Sequence, residues 1–94
     1  MTIEEYTELG YSEPGTTPEE AEAFLALAEE VVFRLTRGRS AELLSGGDQE
    51  KALLVKAATA AQCFCFLQEG VPDGCPTVCR RTMFLLERAG IYQG

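Results

Sequence analysis

The chain has 94 residues, 46% of them hydrophobic, and a formal net charge of −7. This length suits one domain, because domains run from about 50 to about 200 residues, and we expect residues 1–94 to form a single domain. The negative charge argues against a nucleic-acid binder, whose phosphate contacts need clustered Lys and Arg, and against binding to anionic membranes.

A short first helix is predicted at residues 2–9. Thr2 followed by Glu5 matches the capping-box pattern, in which each side chain bonds to the backbone N–H of the other residue. Gly10 is expected to end this helix, because glycine readily adopts the left-handed backbone found at helix C-termini.

A second helix is predicted at 18–37. Thr17 can cap it, Pro18 suits its first position, and Glu20 can complete a second capping box. Apolar residues recur along it at intervals of three and four, which is the period of a helix with one buried face. Gly38 is placed for a cap at its C-terminal end.

Residues 39–47 are predicted to form a connection with no more than a short turn at 41–44. Asp48 can then cap a third helix at 49–69. Because this helix is apolar on most sides, we expect it to be the central one, covered on most faces. A thin polar stripe along it consists of Lys56, Thr59 and Gln62.

Gly70 and Pro72 are expected to end the third helix, and Gly90 to end a last helix at 76–89. No stretch alternates polar and apolar residues long enough to predict a strand. The predicted fold class is all-α, a small bundle of three main helices with a short N-terminal helix, over residues 18–37, 49–69, 76–89 and 2–9.

Four cysteines, Cys63, Cys65, Cys75 and Cys79, lie within 17 residues and raise the question of a zinc site. In a helix, Cys63 and Cys65 point about 200° apart, so both can bind one ion only if the helix unwinds. A redox motif of the thioredoxin type needs two residues between its cysteines at a helix N-terminus. We interpret Cys63-Phe64-Cys65-Phe66 as helix core, covered on all but one face by the other helices or by a neighbouring subunit. We interpret all four cysteines as thiols, with no metal; a four-cysteine zinc module is the least favoured alternative.

The sequence contains no recognisable catalytic motif. It has no histidine, no Gly-rich phosphate loop and no nucleophile elbow. The carboxylate pairs Glu19-Glu20 and Glu29-Glu30 are interpreted as solvated charges on a helix face. We expect no enzyme, no cofactor and no small-molecule substrate.

No basic segment followed by an apolar stretch opens the chain. The longest nearly apolar run, 52–67, is interrupted by Lys56 and is short for a bilayer span of about 20 residues. We expect a soluble protein with no cleaved signal and no membrane partner.

Charge is distributed unevenly along the chain. Residues 1–33 hold nine glutamates and no Lys or Arg, whereas residues 34–94 hold all eight basic residues and only six acidic ones. Such polarity favours head-to-tail association, in which the acidic part of one copy meets the basic part of the next. Phe33 lies off the apolar stripe of the second helix, so we expect it to be exposed beside the arginines that follow it.

Several motifs follow one another along nearly the whole chain: Thr2-Ile3-Glu4-Glu5-Tyr6 with Leu9-Gly10, Pro18-Glu19-Glu20, Leu35-Thr36-Arg37-Gly38-Arg39, Val55-Lys56-Ala57-Ala58 with Ala61-Gln62 and Glu69-Gly70, and the ending 86–94. In this order they resemble the head-tail connector (adaptor) proteins of long-tailed bacteriophages. The connection at 71–74 is shorter than the corresponding segment of many such proteins, and Phe64 stands where a polar residue is common.

This resemblance implies a structural virion protein at the head-tail junction, assembled in the cytoplasm of the bacterial host. Connectors form a ring beneath the portal, extend the DNA channel without binding DNA specifically, and present a surface to a downstream neck or tail protein. We expect a homo-oligomeric ring of about twelve copies, set by the symmetry of the portal. Its candidate subunit-interface residues are Glu19, Glu20, Phe33, Arg34, Arg37, Arg39, Arg80, Arg81, Arg88 and Tyr92.

The alternative from another class is a small helical regulator, similar to an antitoxin, that holds one protein partner in a groove between helices. The sequence features described above do not distinguish it from a connector.

Overall fold

A computed structural model of the protein describes residues 2–11, 17–69 and 78–92. It contains five helices, α1 (Ile3–Glu8), α2 (Pro18–Leu35), α3 (Arg39–Ser45), α4 (Gln49–Glu69) and α5 (Arg80–Arg88). The described part of the chain has no strand, and the predicted all-α fold class is confirmed.

Helix N-termini form where capping residues predicted them. The Thr2 hydroxyl accepts from the Glu5 N–H at 3.2 Å, and the Glu5 carboxylate accepts from the Thr2 N–H at 3.2 Å. Thr17 caps α2 by accepting from the Glu20 N–H at 3.3 Å. The Asp48 carboxylate accepts a backbone N–H in the first turn of α4 at 3.1 Å. Each bond satisfies an amide that the helix itself leaves unpaired.

The segment at 39–47 is more regular than predicted, because α3 occupies most of it. Its residues favour helix formation, and Leu43 packs against the core beneath α3. The prediction of a short turn was therefore wrong. Because α3 has only seven residues and Gly38, Gly46 and Gly47 flank it, its sequence does not show a helical period. The second predicted helix is correspondingly shorter, since α2 ends at Leu35.

The last helix starts later than predicted, at Arg80 instead of residue 76. Cys79 is its N-cap and is extended, with φ −69° and ψ 142°. Its backbone N–H donates to the Gln62 side chain at 3.1 Å, and this tertiary bond holds residue 79 outside the helix. The predicted breakers Gly70 and Pro72 and the connection at 71–74 lie outside the described residues.

Helix α4 is central, as predicted, and packs against α2, α3 and α5. On one side its residues join a core with α1 and α2 that includes Leu25 and Phe66. On the other side they join a second core with Val32 and Leu86. Fully buried alanines at these contacts, Ala28, Ala58 and Ala60, let the helix backbones approach closely.

The polar stripe predicted on α4 does not face solvent at two of its three residues, because Thr59 and Gln62 are buried. The Thr59 hydroxyl donates to the carbonyl of Val55 one turn earlier, at 3.0 Å. The Gln62 oxygen also accepts the Thr82 hydroxyl of α5 at 3.1 Å. These buried polar groups are hydrogen-bonded, which offsets the cost of removing them from water.

Helix α1 is fastened to the bundle by an aromatic residue and an ion pair. Tyr6 is buried in the core, and this burial raises the pKa of its hydroxyl to about 12. The Lys56 ammonium lies 2.7 Å from the Glu5 carboxylate. That hydrogen bond lowers the pKa of Glu5 from its ordinary value. A six-residue helix is too short to be stable alone, so these contacts position it.

Within the described ranges, the helices are too short or too polar to cross a lipid bilayer.

Candidate interaction surface

The chain reverses direction between α2 and α3 in a tight corner. The Arg37 N–H donates to the Arg34 carbonyl at 3.2 Å, and the Gly38 N–H donates to the Phe33 carbonyl at 2.9 Å. This bond pair defines a Schellman C-cap, in which the first residue past the cap adopts a left-handed backbone. Here that residue is Arg37, with φ 55°, and Gly38 follows with φ 84°.

Two other helix ends are closed by glycine at the corresponding position, Gly10 after α1 and Gly90 after α5. Arg37 is the one non-glycine residue with positive φ among the described residues. A left-handed backbone costs an L-residue about 1–2 kcal/mol. The corner therefore keeps an arginine at a position whose backbone conformation favours glycine.

Thr36 holds the corner rigid. Its buried hydroxyl donates to the Val32 carbonyl at 2.9 Å and accepts from the Ser40 N–H at 3.1 Å. One side chain thereby joins the last turn of α2 to the first turn of α3. The directions of the residues around it are fixed by this bond pair.

The corner borders a surface cleft of about 400 Å³ lined by Arg37, Arg39 and Tyr92. Both arginines are exposed, and within the described part of the chain no carboxylate forms an ion pair with either. Tyr92 is half-buried, and its hydroxyl lies 3.7 Å from the Met83 sulfur. The structure thus brings together three of the predicted interface residues as two uncompensated cations beside an aromatic ring.

Phe33 is 50% exposed, so the prediction that it lies off the buried stripe is confirmed. Its ring lies against Gly38, where an added Cβ would be 3.4 Å from the ring edge. Together with Leu44, which is also exposed, it lines a second cleft between α2 and α3. This mainly apolar cleft, which Glu29 and Glu30 also line, adjoins the basic corner.

We expect Gly38→Ala to lower the free energy of unfolding by about 1–2 kcal/mol, because alanine strains the left-handed backbone at this position. Chemical denaturation followed by circular dichroism would measure this. Gly47→Ala is the matched control, since an added Cβ there meets no atom within 4 Å. Equal effects of the two substitutions would contradict the assignment of strain to residue 38.

Arg34 does not join the corner. Its guanidinium pairs with the Glu30 carboxylate at 2.6 Å, one turn earlier on α2. It lines a separate, mainly apolar cleft of about 250 Å³ with Leu27 and Val78. The three arginines that are close in sequence therefore divide between two surfaces.

The remaining predicted interface residues are on other parts of the surface. Glu19 and Glu20 lie exposed in the first turn of α2, and Arg80 and Arg81 lie exposed in the first turn of α5. At the far end of α5, the Arg88 guanidinium lies 5.8 Å from the centre of an exposed aromatic ring, that of the neighbouring Phe84. Their participation in a subunit contact stays a prediction.

The stretch Cys63-Phe64-Cys65-Phe66 is core on one side only. Cys63 and Phe66 are buried, and burial raises the pKa of the Cys63 thiol to about 11. Phe64, however, is 40% exposed and Cys65 is half-buried, so the chain alone does not bury the whole stretch, and its cover by a neighbouring subunit stays a prediction. An α-helix cannot turn four consecutive side chains toward one core.

Tyr11 covers part of the exposed Phe64 ring. Their ring centres are 5.5 Å apart, and Tyr11 also stacks on Tyr6 at 4.9 Å. This aromatic series connects the end of α1 to the surface of α4. The sequence offered one signal for it, since Tyr6 is the single aromatic residue of α1.

The cysteines do not form a three-ligand metal site within the described residues, where no three potential ligands converge. Cys75 lies outside those residues. Helix α4 continues without a break through Cys63 and Cys65, and the unwinding that a shared ion requires there is not present.

Among the described residues, four exposed large apolar side chains were absent from the predicted interface: Leu44, Leu53, Phe64 and Phe84. Phe84 lies off the apolar stripe of α5 as Phe33 lies off that of α2, so the same reasoning finds it. Leu44 was hidden because its helix was predicted to be a connection.

Comparison of the chain with protein-family models, with curated proteins and with solved structures found no match.

Proposed function

We propose that this chain is a structural subunit of a homo-oligomeric ring, the head-tail connector of a long-tailed bacteriophage. The resemblance of its ordered motifs to connector proteins supports the proposal. The structural observation that carries it furthest is the separation of opposite charges along α2 and its following corner.

The first turn of α2 contains Glu19 and Glu20, whereas Arg37 and Arg39 follow its last turn. Arg34, in that last turn, is already paired with Glu30. A helix of 18 residues is about 27 Å long. This exceeds the screening length of about 8 Å at physiological salt. The two ends of α2 therefore cannot neutralise each other within one chain, but the acidic end of a second copy can meet the basic corner.

A contact of this kind joins two different surfaces of identical subunits. Such head-to-tail contacts generate a closed ring when the rotation between neighbours divides a full turn. The corner offers more than charge, because the exposed Phe33 and Leu44 adjoin Arg37 and Arg39. Aromatic and arginine side chains are enriched at the centres of protein interfaces.

In this role the ring lies beneath the portal, joins the filled head to a neck or tail protein and continues the DNA channel. A chain with net charge −7 suits a channel through which DNA slides, since attraction for phosphates would retain it. Such a subunit acts through its shape and its contacts with neighbouring proteins, and this role requires no catalytic group.

The cleft at Arg34, Leu27 and Val78 favours the second candidate, a regulator that holds one segment of a partner. Its lining is mainly apolar, as expected for a groove that binds an amphipathic helix. This candidate predicts a monomer that binds one partner copy and does not bind portal rings.

Arg39→Glu is expected to weaken ring assembly at least tenfold while leaving the subunit folded. Arg39 is exposed at the first position of α3, where glutamate is favourable for the helix dipole. The substitution therefore reverses the surface charge without weakening the helix. Native mass spectrometry of the full chain over a concentration series, alone and with purified rings of its cognate portal protein, would measure assembly.

Lys51→Glu is the matched control, an equal charge reversal in the first turn of α4. We expect it to assemble as the wild type does, in rings of about twelve copies. Normal assembly of Arg39→Glu would overturn the basic corner as the contact. A wild-type chain that forms no ring alone and does not bind portal rings would overturn the connector proposal.

A further inference from the structure

Cys65 and Cys79 lie together at the surface between α4 and α5. Both line one cleft of about 460 Å³ with Phe64 and Arg81. The backbone N–H of Cys79 donates to Gln62 at 3.1 Å, and Gln62 precedes Cys65 by one helical turn. The Cys65 thiol lies beside Cys79 across this cleft. Two cysteines 14 positions apart in sequence thus become direct neighbours.

Cys79 also occupies a position that favours its thiolate. It is the N-cap of α5, a helix of nine residues, and helix N-termini stabilise negative charge. Burial raises the pKa of Cys79, but the neighbouring Cys65 thiol and the backbone amides at the start of α5 outweigh it, so that this pKa is lowered. Cys63, buried on the opposite side of α4, has its pKa raised to about 11.

We propose that Cys65 and Cys79 are a reactive dithiol that hydrogen peroxide converts to an intramolecular disulfide, with Cys79 as the attacking thiolate. Neither the connector resemblance nor the charge distribution implies this site, and it does not depend on the proposed function.

The reaction takes two steps, in which two thiols are oxidised and one peroxide is reduced to two waters. The Cys79 sulfur attacks one peroxide oxygen, the O–O bond breaks, and the departing hydroxide takes up a proton to become water. The Cys65 sulfur then attacks the sulfenic sulfur of Cys79. The S–S bond forms as the S–O bond breaks, and the hydroxyl leaves with the Cys65 proton as the second water.

The disulfide would tie the fifth turn of α4 to the start of α5 and enclose residues 66–78. Closing a loop of this size restricts the unfolded chain. We expect the melting temperature to rise by roughly 10 °C on oxidation and to return to its original value when dithiothreitol reduces the bond.

The test treats the full chain with hydrogen peroxide and counts its thiols with a chromogenic disulfide reagent. It then digests the chain after glutamate without reduction. Cleavage after Glu50, Glu69 and Glu87 separates 51–69 from 70–87, so a bond between Cys65 and Cys79 links these two peptides, and mass spectrometry with fragmentation assigns the sulfurs. We expect the loss of two thiols per chain and one linked pair of peptides.

Cys79→Ser is expected to abolish the link without unfolding, because serine is a good N-cap, and Cys65→Ser to abolish it equally. Cys75→Ser is the matched control and is expected to retain both the link and the rise in melting temperature. A link that persists in Cys79→Ser or Cys65→Ser, or is lost in Cys75→Ser, would overturn the assignment. So would oxidation of Cys79 to a sulfinic acid with no link to Cys65.

Discussion

Gln62→Ala should lower the free energy of unfolding by about 3 kcal/mol, a large part of the total for a domain of this size. Gln62 is fully buried and accepts both the Cys79 N–H and the Thr82 hydroxyl at 3.1 Å. The Thr82 hydroxyl has a second acceptor in the Ala58 carbonyl at 3.4 Å. The backbone N–H of Cys79, in contrast, loses its side-chain acceptor. Losing the hydrogen bond to this half-buried N–H costs about 1 kcal/mol, and the cavity left by the fully buried Gln62 side chain adds to it.

Urea denaturation followed by circular dichroism would measure this loss. Gln68→Ala is the matched control, because Gln68 lies on the same helix and is exposed, and its replacement is expected to change stability by less than about 0.5 kcal/mol. A loss at Gln62 as small as that at Gln68 would show that the buried bonds do not hold α5 against α4.

Leu86→Ala is expected to cost about 3 kcal/mol, within the range seen for buried leucines. Leu86 is fully buried between α4 and α2, in the core that contains Val32, Val55 and Ala58. The surrounding residues belong to long helices, which cannot collapse far into the space that the leucine leaves. The loss should therefore include both the transfer free energy and a cavity term.

Phe84→Ala is the control for Leu86→Ala, since Phe84 is on the same helix and is 56% exposed. Removing its ring takes away the contact with Arg88 but opens no cavity, so we expect a loss below about 1 kcal/mol by denaturation. A larger loss at Phe84 than at Leu86 would contradict the orientation of α5, in which Leu86 faces the core and Phe84 faces solvent.

The helix termini could be predicted from the sequence because capping is local. Thr2, Thr17 and Asp48 each satisfy an N–H group within three residues, so no tertiary information is needed. Helix α3 and the start of α5 were predicted incorrectly for two different reasons. The first is flanked by glycines and too short to show a period, and the second is fixed by a bond from Cys79 to a residue 17 positions away.

The candidate surface was predictable only in part. The exposure of Phe33 follows from helical spacing alone. The separation of Arg34 from Arg37 and Arg39 does not, because it depends on the chain reversal at the corner. The neighbouring thiols of Cys65 and Cys79 were equally hidden, since their distance depends on how α5 docks. Buried Gln62 was taken for a surface residue because polar side chains on helices usually face water.

The left-handed backbone at Arg37 bears on how this chain would respond to selection. Glycine at that position would relieve strain of about 1–2 kcal/mol. A single nucleotide change converts some arginine codons into glycine codons. A lineage under pressure for thermal robustness alone would make that exchange early. Retention of the guanidinium would then be a sign that the charge at this corner matters more to the organism than the stability of the isolated subunit.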